Sequence, residues 1–141
     1  MKLLIPVDGS PSANHAVEWL IKSTAWLKET PQIFLINVQW NLTSGNVKMF
    51  ISQQTMEDYY REQGMAALAE ARKNLDAAQL TYNYHISIGT PAEAIVQYAQ
   101  EQKIDQIIMG AHGQGQLSTF LLGSVVNKVL HLVNMPVVLI K

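Results

Sequence analysis

Short apolar runs alternate along the chain with longer segments in which hydrophobic residues recur at helical spacing. Five of the runs have the length and composition of β-strands: 3–7, 33–38, 82–88, 104–109 and 137–140. The segments between them place an apolar residue at every third or fourth position, which is typical of a helix buried along one side. This alternation predicts an α/β fold, a doubly wound parallel sheet with helices on both faces.

The strands differ in how completely they are expected to be buried. The first, second and fourth runs contain continuous apolar stretches, which predict burial on both faces of the sheet. The third run alternates and is predicted to be an edge strand; its apolar side comprises Tyr82, Tyr84, Ile86 and Ile88. The segment 39–52 is rich in polar residues and glycine, which predicts a long loop after the second strand.

Capping residues suggest where the helices begin. Ser10 followed by Pro11 predicts the start of a first helix, whose inward residues include Leu20 and, further along, Leu27. A second helix is predicted over 56–77 and a third from Thr90-Pro91 onward. For the fourth helix, the sequence predicts Ser124 as the N-cap and an inward face that contains Val125, Val129 and Leu132.

Composition and charge exclude several classes of protein. The 141 residues are 48% hydrophobic and 15% charged, which predicts one folded domain over 1–141. The absence of cysteine excludes disulfides, thiolate metal ligands and a cysteine nucleophile. With a net charge of −1 and no cluster of Lys and Arg, no nucleic-acid partner is expected.

The sequence favours a cytoplasmic protein without a metal site of its own. No apolar stretch approaches the roughly 20 residues that a membrane helix needs, and the first residues do not form a signal peptide. We therefore expect no membrane partner. His15, His85 and His131 are too far apart to have the spacing of metal ligands.

A glycine constellation follows the fourth strand. Gly110 and Gly113 come first, and after nine further residues Gly123 and Ser124 open a helix. Ligands of parallel sheets bind at the carboxyl ends of the strands, where glycines let the backbone approach a phosphate and a helix N-terminus favours an anion. From these residues alone, the segment can be either a phosphate-binding site or a simple turn. No Walker A lysine follows, and no dinucleotide-binding glycine pattern follows the first strand.

The spacing Gly-x2-Gly-x9-Gly-Ser/Thr resembles the nucleotide motif of the ATP-binding branch of the universal stress protein family. The opening Ile5-Pro6-Val7-Asp8-Gly9-Ser10 and the ending Pro136-Val137-Val138-Leu139-Ile140 resemble the first strand and turn and the last strand of that family. The resemblance covers nearly the whole chain. It implies a sheet of order 3-2-1-4-5, in which Asp8 and Gly110 face the same crevice.

The resemblance also implies a nucleotide site. Asp8 would lie beside the nucleoside and Val38 beside the adenine. Ribose and phosphates would contact Gly110, Gly113, Gly123 and Ser124, and these are flanked by Pro6, Val7, Met109 and Val125. The expected ligand is ATP, with ADP and AMP as alternatives and Mg²⁺ as a companion of the phosphates. The implied role is a stress-response sensor or regulator.

Several residues of this region also have plainer interpretations. Asp8 can cap the turn that leads into the first helix, and Ser124 can cap the fourth. We interpret His112 as a solvated loop residue and the run 120–122 as apolar packing that anchors the loop. Residues 49–51 can cover the adenine or contact a partner, and the sequence does not decide between these.

Two other function classes are open. No Lys or Arg lies within the glycine motif, so slow or absent hydrolysis is expected rather than an efficient ATPase or nucleotidyl transferase. The alternative of a nucleotide-free interaction module is disfavoured by the intact motif. The last strand, 137–140, is apolar and lies at an edge of the expected sheet, which together with the resemblance predicts a homodimer through this segment.

Overall fold

The computed structural model describes residues 1–41, 52–113 and 122–141. Strands and helices alternate throughout these residues, as the hydrophobic pattern predicts. The elements are β1 (Lys2–Pro6), α1 (Pro11–Thr24), β2 (Gln32–Gln39), α2 (Gln53–Ala77), β3 (Tyr82–Ile88), α3 (Pro91–Glu101), β4 (Gln106–Gly110), α4 (Ser124–Leu132) and β5 (Val137–Ile140).

The described strands form one five-stranded sheet of order β3-β2-β1-β4-β5, and every neighbouring pair is parallel. This confirms the predicted fold class and the strand order that the family resemblance implies. β1 lies at the centre, where Leu4 pairs with Phe34 of β2 and with Ile107 of β4. The order reverses at β1, so the carboxyl ends of β1 and β4 open a crevice between the helices that follow them.

Each face of the sheet is covered by two helices. One hydrophobic core lies under α1 and α2 and contains Leu3, Ile5 and Leu35 of the sheet. The other lies under α3 and α4 and contains Leu4 and Ile36. Side chains of successive strand residues therefore enter opposite cores, which explains why each central strand contains a continuous apolar stretch.

Polar residues define the helix starts. The Ser10 hydroxyl accepts a hydrogen bond from the N–H of Ala13 at 3.2 Å, and Pro11 follows as the first helical residue, as predicted. α2 begins at Gln53, three residues earlier than predicted, because the Ser52 hydroxyl caps it by accepting from the N–H of Thr55 at 3.1 Å. α3 begins at Pro91 after Thr90, as predicted.

Some packing details differ from the prediction. β3 is an edge strand, but its apolar side is not uniformly buried, since Tyr84 and Ile88 are each 45% exposed. α2 covers the middle of this strand, where Ile86 packs so closely on Gly64 that a side chain at position 64 would overlap it. Tyr84 and Ile88 extend beyond that contact.

The inward face of α4 was predicted correctly at Val125 and Val129 but not at Leu132. Val126 and Val129 are buried, whereas Leu132 is 43% exposed, because the helix ends at this residue. Leu27 lies beyond the end of α1 and is 36% exposed. Across the described ranges, none of the helices combines the length and hydrophobicity that a bilayer span requires.

Candidate functional site

A cavity of about 660 Å³ opens at the carboxyl ends of β1, β2 and β4. This is the position expected for the ligand site of a doubly wound sheet. All ten residues singled out from the sequence lie on its wall: Pro6, Val7, Asp8, Val38, Met109, Gly110, Gly113, Gly123, Ser124 and Val125. The sheet order thus brings together residues that are more than a hundred positions apart in the sequence.

The Asp8 carboxylate contacts both the turn from β1 to α1 and the glycine segment after β4. Its Oδ1 accepts a hydrogen bond from the N–H of Ser10 at 2.9 Å, so the carboxylate does cap the turn. Gly9 makes this turn possible with a φ of +81°, a conformation that favours glycine. Oδ2 lies against the glycine segment, because a Cβ built on Gly113 would be 2.9 Å from it. Asp8 therefore joins the turn and the opposite wall of the cavity.

The start of α4 supplies main-chain N–H groups. Gly123, and not Ser124 as predicted, occupies the N-cap, and the first intrahelical bond runs from the N–H of Asn127 to the Gly123 carbonyl at 2.9 Å. Glycine has no side chain with which to cap, and no side-chain cap is formed at this helix end. By position, the N–H groups of Ser124, Val125 and Val126 have no acceptor within the helix. All three residues line the cavity.

The chain before α4 is held in place by a backbone bond. The N–H of Gly123 donates to the carbonyl of Ala111 at 3.0 Å, so the helix start is tied to the residue after β4. A Cβ at position 123 would lie 3.5 Å from the Gly113 nitrogen, which is ordinary contact distance. Gly113 and the start of α4 therefore lie side by side on the same wall.

Gly110 has a packing role that the sequence did not reveal. A Cβ at this position would lie 2.5 Å from the Ser12 carbonyl carbon and would also overlap the rest of that residue. The first turn of α1 thus packs directly on the backbone at the end of β4. The predicted contact between Gly110 and a ligand is a separate matter and stays a prediction.

His112 is not the solvated loop residue that the sequence suggested. The residue is half-buried, its N–H donates to the Ser12 hydroxyl at 3.3 Å, and it lines the cavity. Its Nδ1 is buried and has no hydrogen-bond partner among the described residues. The close approach of α1 to the end of β4 accounts for this burial.

Sequence reasoning missed the polar end of β2. Asn37 is only 2% exposed, and its Nδ2 donates to the carbonyl of Val7 at 2.7 Å. Gln39 Nε2 in turn donates to Asn37 Oδ1 at 2.6 Å, and both residues line the cavity. An asparagine inside an apolar strand is costly unless it is hydrogen-bonded, so Asn37 was itself a signal that a specific polar contact lies there.

The other lining residues are mostly apolar. Val38, Pro91, Ile95 and Met109 line the side towards α3 and α4, while α2 contributes Gln63, Ala66 and Ala67. An apolar slot with few polar groups suits a flat ring.

Charge in the cavity is sparse. Asp8 is the one carboxylate among the described lining residues, and none of these is Lys or Arg. The lysine of α4, Lys128, pairs with Glu93 of α3, and this hydrogen bond lowers the pKa of Glu93. Within the ranges that the structure describes, no three His, Asp or Glu side chains are grouped so that they would hold a metal ion.

Two predicted features cannot be placed on this wall. Residues 49–51, as well as Phe120 and Leu121, lie outside the described residues. Leu122 is described, and it packs against the core under α3 and α4, in line with the expected anchoring role.

The sequence model of the universal stress protein family matches residues 1–141. The chain belongs to the universal stress protein family. It is 28% identical over 144 residues to the universal stress protein MJ0531 of Methanocaldococcus jannaschii, covering 99% of this chain and 81% of that protein. It is 29% identical to MJ0577 of the same organism, covering 99% and 94% of the two chains.

Solved structures extend the comparison to the fold. The structure of MJ0577 superimposes with a TM-score of 0.84 at 28% identity and covers 99% of this universal stress protein and 94% of MJ0577. A family member from Arabidopsis thaliana with AMP bound has a TM-score of 0.71 at 19% identity, covering 100% and 91% of the chains. At that identity the second likeness shows the shared fold.

The two glycines at the ends of the motif should respond differently to alanine. We expect Gly110→Ala to lower the free energy of unfolding by about 1–3 kcal/mol, because the added methyl overlaps the main chain of Ser12. Gly123→Ala is the matched control and should change stability by less than about 0.5 kcal/mol, since its methyl meets only ordinary contacts. Urea denaturation measures both. Equal losses in the two variants would contradict the packing role of Gly110.

Proposed function

We propose that this universal stress protein binds an adenine nucleotide, foremost ATP, in the cavity at the carboxyl ends of β1, β2 and β4. The observation that carries this proposal is the start of α4, where three N–H groups without intrahelical acceptors line the cavity beside Gly113. A helix N-terminus of this kind binds phosphate through its N–H groups and its dipole.

The opposite wall suits the nucleoside. The main-chain N–H and C=O of one β2 residue point to the neighbouring strand on one side, and those of the next residue point to the other side. The last backbone bond on the side of β1 runs from the N–H of Val7 to the Ile36 carbonyl at 2.8 Å, so Ile36 faces β1. The N–H and C=O of Val38 face the same edge, beyond the end of β1. They offer one donor and one acceptor side by side, as an adenine edge requires. Asp8 lies between this position and Gly113, where a ribose hydroxyl can donate to its carboxylate.

The comparisons support the class of ligand. Related proteins of the same fold are described in complex with AMP, with cAMP and with dAMP, all of them adenine nucleotides. We propose ATP as the foremost ligand because the spacing of Gly110, Gly113, Gly123 and Ser124 matches the motif of the ATP-binding branch of the family. Mg²⁺ would enter with the nucleotide, held by its phosphates, since Asp8 is the one lining carboxylate among the described residues.

The proposed role is that of a cytoplasmic sensor or regulator, with slow turnover or none. Fast phosphoryl transfer uses positioned cations that stabilise the charge of the transition state. The described lining residues include no Lys or Arg that would do this.

We expect the purified protein to bind ATP in the presence of Mg²⁺, and Gly123→Val to weaken this binding at least about tenfold, the equivalent of about 1.4 kcal/mol. The valine methyls would cover the Gly113 nitrogen and the start of α4, while the fold tolerates a Cβ there. Isothermal titration calorimetry measures the affinity, and urea denaturation checks the fold. A stable variant with unchanged affinity would place the phosphates elsewhere. A wild type that binds no nucleotide would favour an interaction module instead.

Hydrolysis distinguishes the regulator from an enzyme. We expect phosphate release from ATP at roughly 10⁻³ s⁻¹ or less, the scale of a GTPase that lacks its arginine finger. A phosphate-release assay under saturating ATP measures the rate. A rate above roughly 1 s⁻¹ that Asp8→Asn abolishes would contradict the proposal and support an ATPase in which Asp8 acts as a catalytic residue.

We also propose that two copies associate through β5. The strand is apolar and half-buried, and it forms an edge of the sheet. Its bonds to β4 run from Ile107 to the Pro136 carbonyl and from Ala111 to the Ile140 carbonyl. The main-chain groups of the alternate residues, Val137 and Leu139, therefore point to the outer edge, where a second β5 can pair with them.

The dimer can be tested with a matched pair of variants. Leu139→Pro removes an outward N–H, and Leu139→Ala removes similar packing but keeps that N–H. In analytical ultracentrifugation we expect a dimer for the wild type, and a Kd for dimerisation about tenfold higher for the proline variant than for the alanine variant, since each symmetric dimer loses two bonds. A wild type that is monomeric at micromolar concentration, or equal Kd values, would contradict pairing through β5.

A further inference from the structure

A chain of three polar groups runs from β1 across the end of β2 into the cavity. It begins at the main-chain carbonyl of Val7, which accepts from Asn37 Nδ2 at 2.7 Å. It continues from Asn37 Oδ1, which accepts from Gln39 Nε2 at 2.6 Å. Asn37 is almost completely buried, and Gln39 is half-buried and lines the cavity.

The chemistry of the first group fixes the orientation of both side-chain amides. A carbonyl can only accept, so Asn37 must turn its NH₂ group to Val7, and its oxygen then faces Gln39. That oxygen can only accept as well, so Gln39 must turn its NH₂ group towards Asn37. The reverse orientation of either amide would bring two oxygens or two NH₂ groups together.

The Gln39 carbonyl oxygen, Oε1, is the free end of this chain. No donor among the described residues reaches it. The backbone of Gln39 is held separately, because its main-chain carbonyl accepts from the N–H of Gly89 at 2.9 Å and its Cα is paired with Ile88 of β3. An acceptor on a fixed backbone, with an orientation set by a buried neighbour, is preorganised for recognition.

We propose that Gln39 is a specificity-determining residue that presents Oε1 to the nucleobase, and that Asn37 is the positioning residue that orients it. The inference rests on the proposed nucleotide site and adds a chemical basis for its choice of base. Adenine carries an amine at position 6, which donates to Oε1. Guanine and hypoxanthine carry an oxygen there, which would face Oε1 without a hydrogen bond. The site thus selects 6-amino purines over 6-oxo purines.

The selection depends on the whole chain of bonds. A glutamine that rotated freely would offer its NH₂ group to a 6-oxo purine as readily as its oxygen to a 6-amino purine. Asn37 prevents this rotation because its own NH₂ group is committed to Val7. Loss of Asn37 should therefore relax base selection even though Gln39 is still present.

The test compares ATP with ITP, the nucleotide in which an oxygen replaces the 6-amine. Isothermal titration calorimetry with Mg²⁺ on the wild type, Gln39→Leu and Asn37→Leu gives the ratio of the two Kd values. We expect the wild type to prefer ATP at least about tenfold, and both variants to reduce that preference by about tenfold. Gln32→Leu, at the exposed opposite end of β2, is the matched control and should keep the wild-type ratio.

The ratio of the Kd values for ATP and ITP distinguishes recognition of the base from a general structural effect, because a structural effect would weaken the binding of both nucleotides equally. Gln39→Leu leaves the buried core intact, so the test stands even where Asn37→Leu fails to fold. A wild type that binds ATP while Gln39→Leu keeps the full preference would overturn this inference alone. A preference that Gln39→Leu abolishes and a folded Asn37→Leu retains would overturn the positioning role. A wild type that binds neither nucleotide would overturn both this inference and the proposed function.

Discussion

The contact between the first turn of α1 and the end of β4 determines the geometry of the whole cavity. Gly110 lets the main chain of Ser12 lie against the sheet where any side chain would overlap it. Ser12 in turn accepts from the N–H of His112, which fixes the chain that leaves β4. Because α1 follows the Asp8 turn, this approach also brings Asp8 against Gly113. A looser contact would separate the two walls between which a ligand has to fit.

The sheet supports this contact from below. β1 is central and pairs with both β2 and β4, so its carboxyl end cannot shift without disturbing two ladders and both hydrophobic cores. The cores are closely packed, and such packing resists small displacements. The Asn37 bond to the Val7 carbonyl extends the link between β1 and β2 beyond the last ladder bond. The described wall of the cavity is therefore built largely on the ends of strands and the starts of helices.

Much of this arrangement could be predicted from the sequence because it depends on local patterns. Alternating apolar runs gave the elements, and the resemblance added the strand order that brings Asp8 beside Gly113. Ser10 and Pro11 marked the start of α1 correctly, since a cap depends on residues within one turn. By contrast, Ser124 looked like a cap and proved to be the first helical residue. A serine hydroxyl favours the N-cap position, but the bond from the N–H of Gly123 to the Ala111 carbonyl fixes where the helix begins.

Other features could not be predicted because they depend on distant parts of the chain. Only the approach of Ser12 reveals why position 110 has no side chain, and only the end of β1 gives Asn37 a partner. The exposure of Leu132 depends on where α4 ends, which periodicity does not locate. The Gln39 amide gains an orientation only through Asn37. In each case the sequence shows the residue type but does not show which distant residue contacts it in the fold.

The proposed nucleotide site assigns the phosphates and the base to different parts of the cavity. The groups proposed to bind phosphate are main-chain N–H groups at the start of α4, whose positions depend on the fold and not on side-chain identity. Substitutions there act mainly by adding bulk, as at Gly123, and not by removing a donor. The groups proposed to distinguish one base from another are side chains and strand-end backbone on β2, tens of residues away in sequence. In the proposed site, affinity for phosphate and choice of base can therefore change independently, because the two depend on different elements of the fold.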